Sequence, residues 1–399
     1  MAPFRHDVRL TLVGLIASAG DPVGPGRYAQ SVLSQRIERV RLAMAEQGID
    51  VCLLSVGPDL PWLTGYEAMP LERLTMLVVP AEADATLVVP ALEVARVVPR
   101  DELFSIRPWG ETDNPITIVS DLSGSSVNAA IGERTWARFL VELQHARPDL
   151  NFTTTASVIG PLRAVKDAAE VAALRTAAAA VDRIAAQLQA GEIPLIGRTE
   201  AEVSADIGRR ILAEGHHRVN FAIVAAGENA ASPHHEPGSR VIQSNEVVLC
   251  DFGGTMAGAD GVGYCSDITR CVVTGTPTSR MTEVYGHLHT AEAAGLAAGG
   301  PGIPAEDVDT ATRSIIDAAG FGEWFMHRTG HGIGVEEHED PYIVLGNRTP
   351  LVAGNAYSVE PGIYLPGEFG FRLEDIVVVT SSGAESVTNA ERSLVSVEA

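Results

Sequence analysis

The chain has 399 residues, 46% hydrophobic and 20% charged, enough for two domains with their own cores and unlike a disordered or low-complexity protein. Lys and Arg number 29 against 51 Asp and Glu, a formal net charge of −22, so nucleic acid and anionic membrane surfaces are excluded as partners by repulsion. No segment approaches the roughly 20 continuous apolar residues that a bilayer span requires, and Cys52, Cys250, Cys265 and Cys271 form no CxxC pair, which excludes a disulfide framework and points to a reducing cytoplasm.

Residues 1–30 read as an N-terminal extension. Arg5 and Arg9 precede an apolar run, Leu10–Ala17, and then small residues, the outline of a weak export signal. The run is short and Asp7 interrupts the charged part, so the cytoplasmic reading is kept. From residue 31 the pattern becomes regular: Leu33, Ile37, Val40 and Met44 recur at helical spacing and Gly48 follows as a stop. Val51–Ser55 reads as a buried strand, and the runs LTMLVVP and TLVVP between Leu74 and Pro90 as two further strands around a polar turn. Helix, strand and hairpin in that order predict an α/β domain over 31–160. Its chemistry is quiet, with His145 its one histidine between Val51 and Pro161, which suits packing, assembly or lid duty.

Gly160 and Pro161 mark a turn and the domain boundary. Beyond it an Ala-rich run, Asp167–Ala190, predicts a long helix ending before Gly191, and histidines concentrate: His234, His235, His287, His289, His327, His331 and His338. VVLCDFGG predicts a buried strand delivering Asp251 at its end, and YCSDITR presents Asp267 on a second strand across a Gly-rich loop. Either aspartate alone reads equally as a cap or turn residue. RTGHGIGVEEHEDP sets His331 between glycines, leaving room for close approach of a ligand, with His338 seven residues on. In NAYSVEPGIY, alternation puts Ala356, Ser358 and Glu360 on one face, with Glu360 at the strand end. In FRLEDIVVVT it puts Arg372 and Glu374 on one face.

Asp251, Asp267, His331, Glu360 and Glu374 together make four carboxylates and one imidazole, which would repel each other at low dielectric unless neutralised by cations. Such a set offers too many oxygens for one structural zinc and suits two hard or borderline ions with shared carboxylates. Ions about 3.5–4 Å apart would hold and deprotonate a bridging water and polarise a substrate carbonyl. Mn2+ is the first expectation, with Co2+, Zn2+ and Fe2+ compatible with the same donors.

The ordered set DFGG, SDITR, GHGIG, HE, SVEPGIY and RLED resembles the metallopeptidase family of pita-bread fold that contains Xaa-Pro dipeptidase (prolidase), aminopeptidase P and methionine aminopeptidase, over about residues 35–395. The resemblance implies a creatinase-like α/β N-terminal domain followed, over 161–399, by an α+β pita-bread catalytic domain with an antiparallel sheet. It also implies a homodimer acting on small peptides. By it Asp251 would chelate one ion, Asp267 and Glu374 would bridge both, and His331 and Glu360 would bind the other, with Glu360 also the general base toward the attacking water. His234 and His338 match positions that contact substrate and stabilise the oxyanion. Arg372 reads as an anchor or proton-network partner beside Glu374. The N-terminal domain favours Xaa-Pro cleavage over methionine removal, and the intact acidic set argues against creatinase, which works without metal. Xaa-Pro dipeptidase is the leading reading. Aminopeptidase P on longer peptides, a binding module that kept the fold, and a hydrolase or lyase of another small substrate are the alternatives.

Further expectations concern neighbouring residues. His235 ranks below His234, His216 and His217 read as exposed loop residues, and His287 and His289 as structural positions on a helix. Cys250 and Cys265 read as small buried residues, because Cys250 alternates away from Asp251. The loop between Asp251 and Asp267 is several residues longer than prolidases lead one to expect.

Overall fold

In the computed structural model, which describes residues 25–398, Leu33, Ile37, Val40 and Met44 are at most 3% exposed. They form the inner stripe of the helix Pro25–Gln47. Gly48 ends it at φ 66°, a left-handed conformation that costs glycine little. Of the predicted N-terminal extension, residues 1–24 lie outside the described residues, as does the candidate export signal.

The first half is built on a six-stranded mixed sheet. In spatial order its strands are Phe104–Trp109, Ala85–Pro90, Met76–Pro80, Val51–Leu54, Asn128–Ile131 and Asn151–Thr154. The expected hairpin is present, Met76 facing Val88 across it. Alternation divides the apolar residues between two faces. Cys52, Leu54, Leu77 and Val79 pack toward the first helix, while Val51, Leu53, Met76 and Val78 pack toward Ile116, Val119, Phe139 and Leu143 of the helices Pro115–Leu122 and Ala137–Ala146. At Gly160 and Pro161 the chain makes a short helix, Gly160–Ala164, and not a bare turn, with proline in its first turn where its missing N–H costs nothing.

The Ala-rich run folds as the helix Ala168–Gln189. Asp167 caps it by accepting from the N–H groups of Ala169 and Glu170, and Glu170 returns a bond to the Asp167 N–H, a reciprocal capping box. With the helix Glu200–Ala213 it covers a sheet ordered Val395–Val397, Ile268–Thr274, Val247–Ala257, Arg218–Ala226, to which Gly263–Cys265 adds a short strand beside Val247–Ala257. A second sheet runs Glu339–Ile343, Gly330–Gly332, Ala356–Val359, Asp375–Val379, Ala384–Ser386. Gly362–Leu365 and Phe369–Arg372 pair as a separate ribbon. The helices Ser279–Ala298 and Ala305–Ala318 complete this half. One antiparallel pairing, Thr269 with Glu374, joins the two large sheets.

The two halves share an apolar core in which Leu33, Leu54, Trp62 and Ile159 meet Leu174, Val262, Ile333 and Val378. Arg36, 1% exposed, crosses between them, donating to Trp62 O at 3.0 Å, Asp260 Oδ2 at 2.9 Å and Tyr264 OH at 3.0 Å, with Glu170 Oε1 at 3.1 Å. Among the described residues, no helix is long and apolar enough to cross a membrane.

Candidate metal centre

Asp251 lies inside its strand, not at its end, because Val247–Ala257 continues past it between two antiparallel neighbours that pair Asp251 with Ile223 and Thr269. Val248, Cys250 and Phe252 point into the core under the Ala-rich helix, so alternation turns Asp251 to the opposite face. Gly253 makes room beside it. A Cβ there would fall 2.1 Å from Ser266 O, so only glycine lets the segment carrying Asp267 lie against this strand. Cys250 and Cys265 are buried free thiols. Burial pushes the thiol pKa of both above the ordinary cysteine range, which disfavours the thiolate that a metal would require.

Backbone contacts at His331 are as close. A Cβ on Gly330 would stand 1.8 Å from Ser358 O and one on Gly332 2.3 Å from Asp340 O. The His331 N–H donates to Ser358 Oγ at 2.9 Å, and its Nδ1 lies 3.0 Å from Gly332 O. A carbonyl oxygen only accepts, so Nδ1 carries the proton and Nε2 is left as the ligand atom. Ser358 Oγ in turn donates to Glu360 Oε1 at 3.0 Å. Glu374 follows the strand Phe369–Arg372, and its Oε2 accepts from Thr269 Oγ1 at 2.7 Å.

Asp251, Asp267, His331, Glu360, Glu374, His234, His338 and Arg372 all line one cavity of about 250 Å3, whose wall Phe221, Ile223, Pro233, His327 and Arg328 complete. Asp267, His331 and Glu374 each place one ligand atom within 4.8 Å of the other two. Glu360 Oε1 is 3.1 Å and Asp267 Oδ2 3.8 Å from His331 Nε2. Asp251 is turned toward Arg372, whose Nη2 donates to Oδ2 at 2.5 Å. The expected partnership of Arg372 with Glu374 is therefore indirect. Arg372 Nε donates to Thr269 Oγ1 at 3.1 Å, and that hydroxyl donates on to Glu374.

Burial and mutual repulsion set the electrostatics of the cluster. Burial, then Glu374 and the other carboxylates, raises Asp267 well above the usual carboxylate range, and burial followed by Glu360 and Asp251 does the same to Glu374. Asp251 is raised by burial, less so because Arg372 opposes it. Burial would also raise Glu360, but when His331 is protonated at both nitrogens its hydrogen bond and charge outweigh burial and bring Glu360 to about 2; that proton on Nε2 is the one a metal would displace. Asp251 Oδ1 and Asp267 Oδ1 are buried without any hydrogen-bond partner, an expensive state for carboxylate oxygens. Oxygen donors with free lone pairs around an imidazole nitrogen that has surrendered its proton fit divalent ions of hard or borderline character.

Among the remaining histidines, His234 is exposed at the cavity. His235 points elsewhere, its Nε2 lying 2.8 Å from Glu200 Oε2. His338 stacks on His331 with ring centroids 3.8 Å apart, and burial, then His331, lowers its pKa to about 4. His216 is not an exposed loop residue: it is 3% exposed, with Nδ1 3.2 Å from Ile211 O and Nε2 2.9 Å from Ser266 Oγ, so it supports the turn before Asp267. His217 is exposed. Sequence reasoning gave no role to His327 or Tyr364. The His327 Nδ1 lies 2.8 Å from Arg328 O and its Nε2 2.8 Å from Tyr364 OH, which accepts from Arg372 Nη1 at 2.9 Å. The HRTGHG spacing, His327 four residues before His331, is the one signal that would have found it.

Residues 170–381 match the model of metallopeptidase family M24, and residues 36–165 match the creatinase/prolidase N-terminal domain. A probable dipeptidase PepE of Mycobacterium tuberculosis is 41% identical over 377 residues, covering 94% of this chain and 99% of the relative. The crystal structure of dipeptidase PepE from Mycobacterium ulcerans superposes with a TM-score of 0.85 at 41% identity, covering 92% of this chain and 98% of that one. Recombinant prolidase from Thermococcus sibiricus gives 0.84 at 34% identity, covering 91% and 98%. A half-chain match over the segment that supplies all eight predicted site residues, with relatives similar along nearly their full length, places this protein in metallopeptidase family M24, with a creatinase/prolidase N-terminal domain ahead of its catalytic half.

Proposed function

We propose that the protein is a dinuclear-metal Xaa-Pro dipeptidase. The observation that carries this reading is the set of acceptor atoms without donors: Asp251 Oδ1 and Asp267 Oδ1 are orphaned, and the free His331 Nε2 faces Glu360 at 3.1 Å. Asp251, Asp267, His331, Glu360 and Glu374 would hold two divalent ions, Mn2+ foremost. When bound, such ions supply a Lewis acid for the scissile carbonyl and lower the pKa of water. Relatives named dipeptidase and prolidase support the substrate class.

The protein's own groups have separable tasks. Ser358 orients Glu360 by donating to Oε1, and Glu360, ionised well below neutrality, takes the proton of the attacking water. The nitrogen of the scissile bond must be protonated to leave as an amine, and Glu360 returns the proton taken from water to it. His338 is neutral at pH 7, and its N–H donates to the oxygen that gains charge as the carbonyl becomes tetrahedral. His234 bonds the substrate at the cavity mouth. Arg372 holds Asp251 ionised and positioned, while Thr269 fixes Glu374. The same reading makes 31–160 a non-catalytic domain and 161–399 the catalytic one, working in the cytoplasm, which the four free cysteines support.

The test is product analysis with Ala-Pro, Met-Pro and Ala-Pro-Gly in the presence of Mn2+. Release of free proline from the dipeptides is expected, with the tripeptide cleaved at least ~10-fold more slowly. Faster cleavage of the tripeptide would assign aminopeptidase P chemistry, and no cleavage of any of the three would reject the Xaa-Pro reading.

A further inference from the structure

Two guanidinium groups line the metal cavity, and they differ in one respect. Arg372 is fully engaged, with Asp251, Tyr364, Thr269 and Pro233 O as acceptors. Arg328 is half-buried, and its guanidinium makes no hydrogen bond or ion pair within the described residues. It rests on an aromatic ring, with Cζ 4.3 Å from the centroid of Tyr342. Stacking of this kind fixes the plane of the guanidinium and leaves its in-plane N–H groups free. A planar fork of donors suits a carboxylate, which it engages by two parallel bonds. The carboxylates already in the cavity do not use it: Asp251 is held by Arg372, Glu360 by Ser358 and His331, and Glu374 by Thr269.

From this we infer that Arg328 is a specificity-determining residue that receives a carboxylate of the substrate. The inference rests on the peptidase reading of the cavity. A negative group entering beside Asp251, Asp267, Glu360 and Glu374 needs a fixed positive partner, and among the described residues Arg328 is the one guanidinium on the wall without an acceptor. Two parts of a small peptide carry this chemistry: the C-terminal carboxylate, present beside the scissile bond only in a dipeptide, and an acidic side chain on the N-terminal residue.

The experiment compares the wild type with Arg328→Gln and Arg328→Lys. The first arm measures kcat/KM for Ala-Pro and Ala-Pro amide, the second for Glu-Pro and Gln-Pro. A charge-assisted pair predicts a preference of about 10- to 100-fold for the acid, expressed mainly in KM. Loss of that preference in Arg328→Gln, with partial retention in Arg328→Lys, supports the assignment, and the arm in which it is lost identifies the source. If neither preference exists in the wild type, or both survive in Arg328→Gln, the assignment is overturned. A calorimetric titration with N-acetylproline and N-acetylprolinamide separates the two proposals. Selective binding of the acid that Arg328→Gln abolishes upholds the Arg328 site even if no Xaa-Pro substrate is turned over. Equal binding of acid and amide overturns it while leaving any observed turnover to stand.

Discussion

Single atoms decide what this cavity does. His331 has one nitrogen committed to Gly332 O and the other turned into the cavity, so on the proposed reading replacing it removes a metal ligand. Glu360→Ala and His331→Ala should each reduce kcat with Ala-Pro by 1000-fold or more, on the order of a lost general base or ligand, and His331→Ala should lower bound Mn2+ measured by plasma mass spectrometry. His338→Ala should lose roughly 100-fold in kcat with Mn2+ content unchanged. Residual activity of Glu360→Ala near that of wild type would remove it from the proton pathway, and loss of metal in His338→Ala would make His338 a ligand. The carboxylates and His331 stood out in the sequence because glycines, β-branched neighbours and alternation bracket them. His327, Tyr364 and Arg328 did not. The HRTGHG spacing could have pointed to His327, but its contact with Tyr364, 37 residues away, is not written in any local pattern. His216 was misread for the same reason, since its partner Ser266 is 50 residues away.

Among elements, the catalytic half depends on strands brought closer than side chains permit. At Gly330 an added Cβ would meet a backbone carbonyl at 1.8 Å, and a carbonyl within a sheet cannot swing aside as a flexible side chain would. Gly330→Ala should therefore shift His331 away from Glu360 and destabilise the fold by about 1–3 kcal/mol. A lower midpoint in urea together with weakened Mn2+ uptake is the expected result, and wild-type behaviour in both would show that the sheet yields more easily than its packing implies. Gly48, by contrast, faces open space and ends its helix through φ alone. The helices and the hairpin were legible because their periodicity is strong and local. Asp251 was misplaced at a strand end because two glycines follow it, yet the strand runs on through them to Ala257 and they serve close packing inside the sheet. The short helix at Gly160 was hidden by the same bias toward reading glycine and proline as turns.

Across the whole molecule, a buried charge cluster holds the catalytic half together away from the cavity. Arg270 from the first sheet donates to Asp375 of the second at 2.7 Å, and Arg392 reaches Asp375 and also Glu292, at 3.4 Å, on the helix Ser279–Ala298. Burial, then Asp375, raises Glu292 to about 9. In the folded chain Glu292 therefore keeps its proton at neutral pH, while in the unfolded chain it ionises near its ordinary value. The folded state binds the extra proton between those limits, so stability is greatest below the ordinary carboxylate pKa and falls as pH rises toward 9. Glu292→Gln should abolish that slope, gaining on wild type by up to about 1 kcal/mol per pH unit across this window. Melting temperatures of both proteins between pH 5 and 9 check it, and parallel curves would place the proton elsewhere.

The core shared by the two halves carries a consequence for how they move relative to one another. Leu33 and Trp62 are packed against Leu174 and Val262 without solvent between them, and Arg36 pins the same joint with partners on both sides. Swinging the N-terminal half outward would strip this apolar contact and strand a guanidinium away from its carboxylates, a cost of several kcal/mol. Outward swinging at this joint is thus rare, and the two halves travel as one unit while peptides come and go.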